Sequence, residues 1–250
     1  MSLSLCADQY LLMLADPGQI AGITRFAQDP GMSWAVGRAR RFRAIRGSAE
    51  EMLALQPDLV LTSGFGSPGA LAVLASRKVR VVDLPWDNDL AGIEQTVRKV
   101  AELLGHPDRG DMLIAAMRRR LAAIGPSPGA GRVAAYYQRR GYLTGQGTLI
   151  DDMMRRVGLS NLAARLGRPM LSRLSLEEMA MARPDFLIVD RNGAVRDQGS
   201  EMLEHPILKR AVPAARWLRV PEALTTCGGP SYPDAVRTLA DAVRRADEDR

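Results

Sequence analysis

Histidine and cysteine are scarce in this chain: two of each among 250 residues, His106 and His205, Cys6 and Cys227. That scarcity excludes a cysteine-rich zinc module and any three-histidine metal site. A mixed His/carboxylate site stays possible, but no such cluster is evident, and neither a resident metal nor a cofactor is expected. Long apolar runs are missing too. Nothing approaches the roughly eighteen residues that a membrane span needs. The first residues, MSLSLCADQ, carry neither a basic stretch nor an apolar core of signal-peptide length. A leader upstream of residue 1 is expected to have been removed.

What is present is an ordinary globular composition, 46% hydrophobic and 25% charged, with a net charge of +6. Excess positive charge suits nucleic acid, anionic lipid or an anionic small ligand. Neither a zinc-finger nor an RNA-recognition motif occurs. Arg118, Arg119 and Arg120, like Arg244 and Arg245, fall in helical patterns and read as solvated faces, so no nucleic-acid partner is expected.

One segment occurs twice. SAEEMLALQPDLVLT (48–62) and SLEEMAMARPDFLIV (175–189) share six of fifteen residues at an offset of 127. Each begins with Ser followed three residues later by Glu, the signature of a capping box. Each helix stops at a proline, Pro57 or Pro184, and gives way to a branched, apolar run of buried-strand type. Each copy therefore reads as helix, Pro-Asp, parallel strand, and the pair implies two similar α/β lobes.

Around the copies, SLSL reads as a short strand, ADQYLLMLAD as a helix, and residues 20–24 and 79–84 as strands. Residues 25–47 show no clean period, and a loop of that length inside a compact domain is usually functional. Residues 89–124 read as helix, interrupted near Gly105 and restarting at Pro107. GPSPGAG (125–131) is the clearest linker. A second α/β pattern follows, with strands at 132–138 and 216–221, a helix in TLIDDMMRRVG and a closing helix at 233–248. The expected organisation is an N-terminal α/β lobe (1–88), a helical segment with the interlobe helix (89–125) and a C-terminal α/β lobe (126–250). The fold class is α/β, two Rossmann-like lobes with parallel sheets joined by a long helix.

SLSLCADQYLLMLADPGQIAGIT, GSAEEMLALQPDLVLTSG, the helical span after VVDLPW and LSLEEMAMARPDFLIVD stand in an order that resembles the helical-backbone class of periplasmic substrate-binding proteins. These serve ABC importers of cobalamin and ferric siderophores. The resemblance implies a monomeric periplasmic carrier without catalytic activity. It would capture a bulky ligand in an interlobe cleft and deliver it to a membrane permease. A stiff connector would leave much of the site formed before the ligand arrives, which saves ordering entropy. It also implies one surface Glu per lobe that docks on the importer. Glu177 matches in the second lobe. In the first the matching position falls near Gly69, where no acid stands, and Glu50 or Glu51 would substitute; helix-start acids that favour the dipole read equally well.

Ligands of such lobes lie at the carboxyl ends of parallel strands. Those positions offer Cys6, Asp8, Arg25, Trp34, Arg38, Arg46, Ser63, Phe65 and Trp86 in the first lobe. The second offers Tyr137, Arg139, Arg140, Tyr142, Arg168, Met170, Leu171, Arg191, Cys227 and Tyr232. The strongest ligand-binding candidates are Trp34, Arg38, Arg46, Phe65, Trp86, Tyr137, Arg139, Arg140, Tyr142, Met170, Arg191 and Cys227. Trp and Tyr supply flat surface with a polar edge, and Arg a planar fork for carboxylates or phosphates. Core packing is the competing reading for each aromatic. The arginines favour an anionic chelate; nothing separates a corrinoid from a siderophore.

A rival reading lies in Gly64, Gly66 and Gly69, which spell G-x-G-x-x-G after a strand, with Asp83 nineteen residues beyond the first. In a nucleotide-dependent enzyme these would cradle a pyrophosphate while Asp83 held a ribose. The second copy has no such glycines and no catalytic constellation follows. The histidines, each before a proline, read as helix-start residues. A soluble interaction module that lost transport is a third possibility. Cys6 and Cys227, expected on different lobes, read as free thiols, since a bridge across a cleft would lock it.

Overall fold

A computed structural model describes residues 1–64, 74, 77–190, 199 and 201–248. The chain divides into two compact units, Met1–Arg119 with Thr226–Tyr232, and Arg120–Thr225 with Pro233–Arg250. Its elements are those of a mixed α/β protein with parallel sheets, as the sequence implies.

The first unit opens not on a strand but on helix α1 (Leu5–Leu14), capped by the Ser4 hydroxyl, which accepts from the Ala7 N–H. Of the alternating SLSL run only Ser2 makes a strand-like contact, an isolated parallel bridge to Leu61. Two short parallel pairs follow: β1 (Ile23–Thr24) with β2 (Ala44–Ile45), and β3 (Leu59–Thr62) with β4 (Arg80–Asp83). In the second unit, β5 (Val133–Tyr136), β7 (Ser160–Asn161), β9 (Phe186–Asp190) and β10 (Trp217–Val220) form one parallel sheet in the order β10-β9-β5-β7. The strands β6 (Tyr142–Thr144) and β8 (Leu171–Arg173) pair antiparallel beside it in sequence.

The repeated segment takes the same form in both units. Helix α2 (Ala49–Leu55) precedes β3, and α6 (Leu176–Ala182) precedes β9. Each helix ends on a residue in the left-handed region, Gln56 at φ 46 and Arg183 at φ 42, which turns the chain into its Pro-Asp. Met52 and its counterpart Met179 are completely buried, as are Val60 and Leu187 in the strands. Filling these positions with apolar side chains secures each helix to its strand, and truncating such a Met to Ala costs about 2–5 kcal/mol. The caps differ. Ser175 and Glu178 form the complete reciprocal box. Ser48 caps Glu51, but the Glu51 carboxylate accepts instead from the Arg46 and Gly47 N–H groups, at 2.7 and 3.3 Å.

Residues 89–124 form two helices, α3 (Leu90–Leu103) and α4 (Pro107–Ala122), with Gly105 between them at φ 77. The boundary between the units falls inside α4, at Arg119/Arg120. Helix α5 (Leu149–Arg156) follows β6, and α7 (Tyr232–Glu248) closes the chain. The arginine runs are less free than expected. Arg118 pairs with Glu94, Arg120 with Asp234, and Arg244 with Asp241.

Candidate ligand site

In the first unit the carboxyl ends of β1 and β2 border a cavity of about 240 Å³, lined by Leu3, Thr24, Arg25, Phe26, Ile45, Arg46 and Gly47. Because β1 and β2 run parallel, Thr24 and Ile45 end side by side and the chain leaves both strands on the same edge. Gly47, at φ 78, and the Glu51 carboxylate shape the turn that carries Arg46. The Arg25 guanidinium lies 5.1 Å from the centre of the Phe26 ring. Neither Arg25 nor Arg46 forms an ion pair among the described residues. Two cations over an apolar floor attract an anionic group that also carries apolar surface. Pockets for whole drug-sized ligands run from roughly 300 Å³ upward, so this cavity suits one arm or edge of a larger ligand.

Beneath it, Asp8 is fully buried on α1 and accepts from both the N–H and the hydroxyl of Thr24, at 3.1 and 2.5 Å. Burial pushes its carboxyl up to about 6, against the Thr24 hydrogen bonds. Asp8 is thus a support of the cavity wall. Sequence reading placed it, like Cys6, among residues following a strand.

Trp86 stands beyond the end of β4 and is 65% exposed. Trp34 is half-buried, and Arg38 is exposed on the short helix Val36–Ala39. Neither lines the cavity. Phe65 and Arg191 lie outside the described residues, as do Gly66 and Gly69. Gly64 donates its N–H to Asp83 Oδ1 at 2.9 Å, so the carboxylate assigned to a ribose in the dinucleotide reading already serves its own loop.

In the second unit, Arg139, Arg140 and Tyr142 lie on the connection from β5 to β6. Arg139 approaches Glu222, which follows β10, at 3.9 Å. Arg140 adopts φ 59 and its N–H donates to the Gly199 carbonyl. Tyr142 is half-buried, with the Arg173 guanidinium 5.2 Å from its ring centre. Met170 is about half exposed just before β8, its carbonyl accepting from Gly145.

Two expected ligand residues are corrected. Tyr137 is 1% exposed and donates its hydroxyl to the Leu174 carbonyl at 2.8 Å; it packs in the core and has no surface to offer. Burial, then the charges of Glu177 and Glu178, pushes its phenol up to about 12. Cys227 is buried and bonded to Cys6, so neither cysteine is a free thiol. The expectation failed because Thr226–Tyr232, though distant in sequence, packs within the first unit and brings the two Cα atoms to 5.3 Å. Sequence reading missed Phe26 in the cavity wall. Its signal was position: it lies two residues past a short apolar strand in an aperiodic segment.

Glu50 and Glu177 are both exposed in the first turn of the duplicated helices. Hydrogen bonds from its own N–H and from Ser48 hold the Glu50 carboxyl below its ordinary value. The histidines serve helix starts: His205 caps Pro206–Ala211, and His106, just before α4, bonds to Gln19 and lies near Asp16.

The periplasmic binding protein family model matches residues 1–222. The chain belongs to the periplasmic binding protein family. Its members are carriers, not catalysts, so the dinucleotide-enzyme reading is set aside. Among solved structures, it is similar to the periplasmic heme-binding protein RhuT from Roseiflexus sp. RS-1, at 25% identity and a TM-score of 0.76, covering 97% of each chain. It is equally similar to the heme-binding protein BhuT in complex with two hemes, at 25% identity and 0.77, covering 98% of this chain and 97% of that one. The vitamin B12-binding protein BtuF of Vibrio cholerae shares the fold at 15% identity, with a TM-score of 0.72 over 99% and 96%. No curated protein sequence matches the chain.

Proposed function

We propose that this carrier captures a bulky anionic chelate or tetrapyrrole, such as a ferric siderophore, a corrinoid or heme, in the periplasm and presents it to an ABC importer. The observation that carries the reading is the cavity at the carboxyl ends of β1 and β2, where Arg25 and Arg46 stand over Leu3, Phe26 and Ile45. A ligand carboxylate or phosphate meets the guanidiniums while the attached ring system covers the apolar side chains. Trp34, Arg38 and Trp86 of the first unit, and Arg139, Arg140, Tyr142 and Met170 of the second, are further proposed ligand residues, and Phe65 and Arg191 join them on their places in the sequence alone. Both solved relatives at 25% identity are heme-binding proteins, RhuT in its apo form and BhuT with two hemes, which supports a flat, carboxylate-bearing ligand. The Cys6–Cys227 disulfide suits an oxidising compartment. Glu50 and Glu177, equivalent in the two units, are the proposed docking acids. The protein acts as a monomer without nucleic acid.

Fluorescence titration of the apoprotein with hemin, cyanocobalamin and a ferric hydroxamate tests the reading. At least one binds with submicromolar affinity, and Arg25→Ala with Arg46→Ala weakens it about tenfold or more, as befits charge-assisted contacts. Binding of none of them, or binding indifferent to both substitutions, rejects it.

A further inference from the structure

We infer that the segment Thr226–Tyr232 is a strap that holds Trp86 in a fixed, outward-facing pose; the purpose of that pose rests on the ligand reading above. Three contacts bind the strap to α1 and to the residue after Trp86. Cys227 is bonded to Cys6. One helical turn further along α1, on the same face, the buried Tyr10 places its hydroxyl 2.7 Å from Asp87 Oδ2 and 3.0 Å from the Gly228 carbonyl. The backbone of Gly228 then meets that of Asp87 so closely that a Cβ there would overlap the Asp87 carbonyl. Only glycine permits that approach.

Asp87 is thereby fixed in backbone and side chain, 7% exposed, while its neighbour Trp86 is 65% exposed. The indole is also held at its ring. A Cβ on Gly64 would lie 2.7 Å from Trp86 Nε1, so the ring edge rests on bare backbone at a residue with φ 62. A large aromatic left facing water yet anchored at both ends is costly unless something covers it. Ordering it ahead of the ligand removes that entropy cost from the binding step. Tyr10, Gly228 and the disulfide are positioning groups in this scheme: they act through Asp87 and are assigned no contact with the ligand.

The test reads Trp86 directly. In apoprotein carrying Trp34→Phe and Trp217→Phe, Trp86 is the sole indole, and its time-resolved anisotropy reports local freedom without any ligand. Tyr10→Phe, which preserves packing, and Cys6→Ser with Cys227→Ser should each at least double the amplitude of the fast local component. With otherwise unaltered protein, Tyr10→Phe should weaken hemin or cyanocobalamin binding about three- to tenfold. Unchanged anisotropy in both variants, even with a lowered melting temperature, overturns the inference, because the strap would then be structural only. Looser Trp86 with unchanged affinity overturns the ligand-facing half. If neither probe binds the unaltered protein, the carrier reading falls, and the strap loses its purpose with it.

Discussion

Replacing Cys6 and Cys227 together by Ala removes a crosslink that spans 221 positions, nearly the whole chain. In the chain-entropy treatment, closing a loop of that length restricts the unfolded ensemble by about 5 kcal/mol at 25 °C. That is a large share of the roughly 5–15 kcal/mol by which a folded domain exceeds its unfolded state. The crosslink also retains a segment whose other ties to α1 and Asp87 are a shared hydroxyl and close backbone packing. With a urea slope of about 3 kcal/mol per M for a chain of this size, the midpoint should fall by roughly 1.5 M. The assay is equilibrium urea unfolding by circular dichroism, paired with thiol titration of the native protein. The oxidised protein should yield no reactive thiol until reductant is added. Two thiols titrating in native protein that was never reduced, or a midpoint unmoved by the double substitution, would refute the reasoning.

Asp8 gives a pH signature. Its carboxyl, raised to about 6 from 3.8, binds a proton more tightly in the fold than in the unfolded chain. Stability from this group therefore falls as pH rises from about 4 to 6, by about 3 kcal/mol, and stays low above that. Asp8→Asn should abolish that part of the slope in urea midpoints measured at pH 4, 5, 6 and 7; an unchanged profile contradicts the assignment. At the end of α6, Arg183 carries a side chain at φ 42. Arg183→Gly should relieve that strain and stabilise by about 0.5–1 kcal/mol, roughly 2 °C in melting temperature. A lower melting temperature would show that the side chain earns its place through contacts.

The duplicated units were legible because their punctuation is local. A Ser cap, a proline stop and a run of branched residues each act within a few positions, so residues 48–62 and 175–189 announce the same form twice. Alternation misled at the start of the chain, where SLSL has the period of a strand but Ser4 is a helix cap. At the first capping signature, chemistry beyond the motif intervened: Glu51 serves Arg46 and Gly47, a preference set by the turn after β2. Position along a strand pointed to the strand ends as the candidate site, and Arg25 and Arg46 do stand at the cavity there, while Trp86 lies exposed beyond β4 and outside its lining. It could not distinguish Tyr137 from a surface aromatic, because β5 is buried on both faces and Tyr136 at its end and Tyr137 just beyond it are both buried. The disulfide was out of reach for a different reason. Its partners meet only because a late segment packs within the first unit, and no local pattern encodes a closure of that length.

Native mass spectrometry of the unaltered protein, mixed with equimolar hemin, cyanocobalamin, a ferric hydroxamate and NAD, puts the carrier reading and its discarded rival in one experiment. A one-to-one adduct with a chelate or tetrapyrrole, and none with the dinucleotide, is the expected spectrum. A dinucleotide adduct, or a bare protein peak alone, would contradict it.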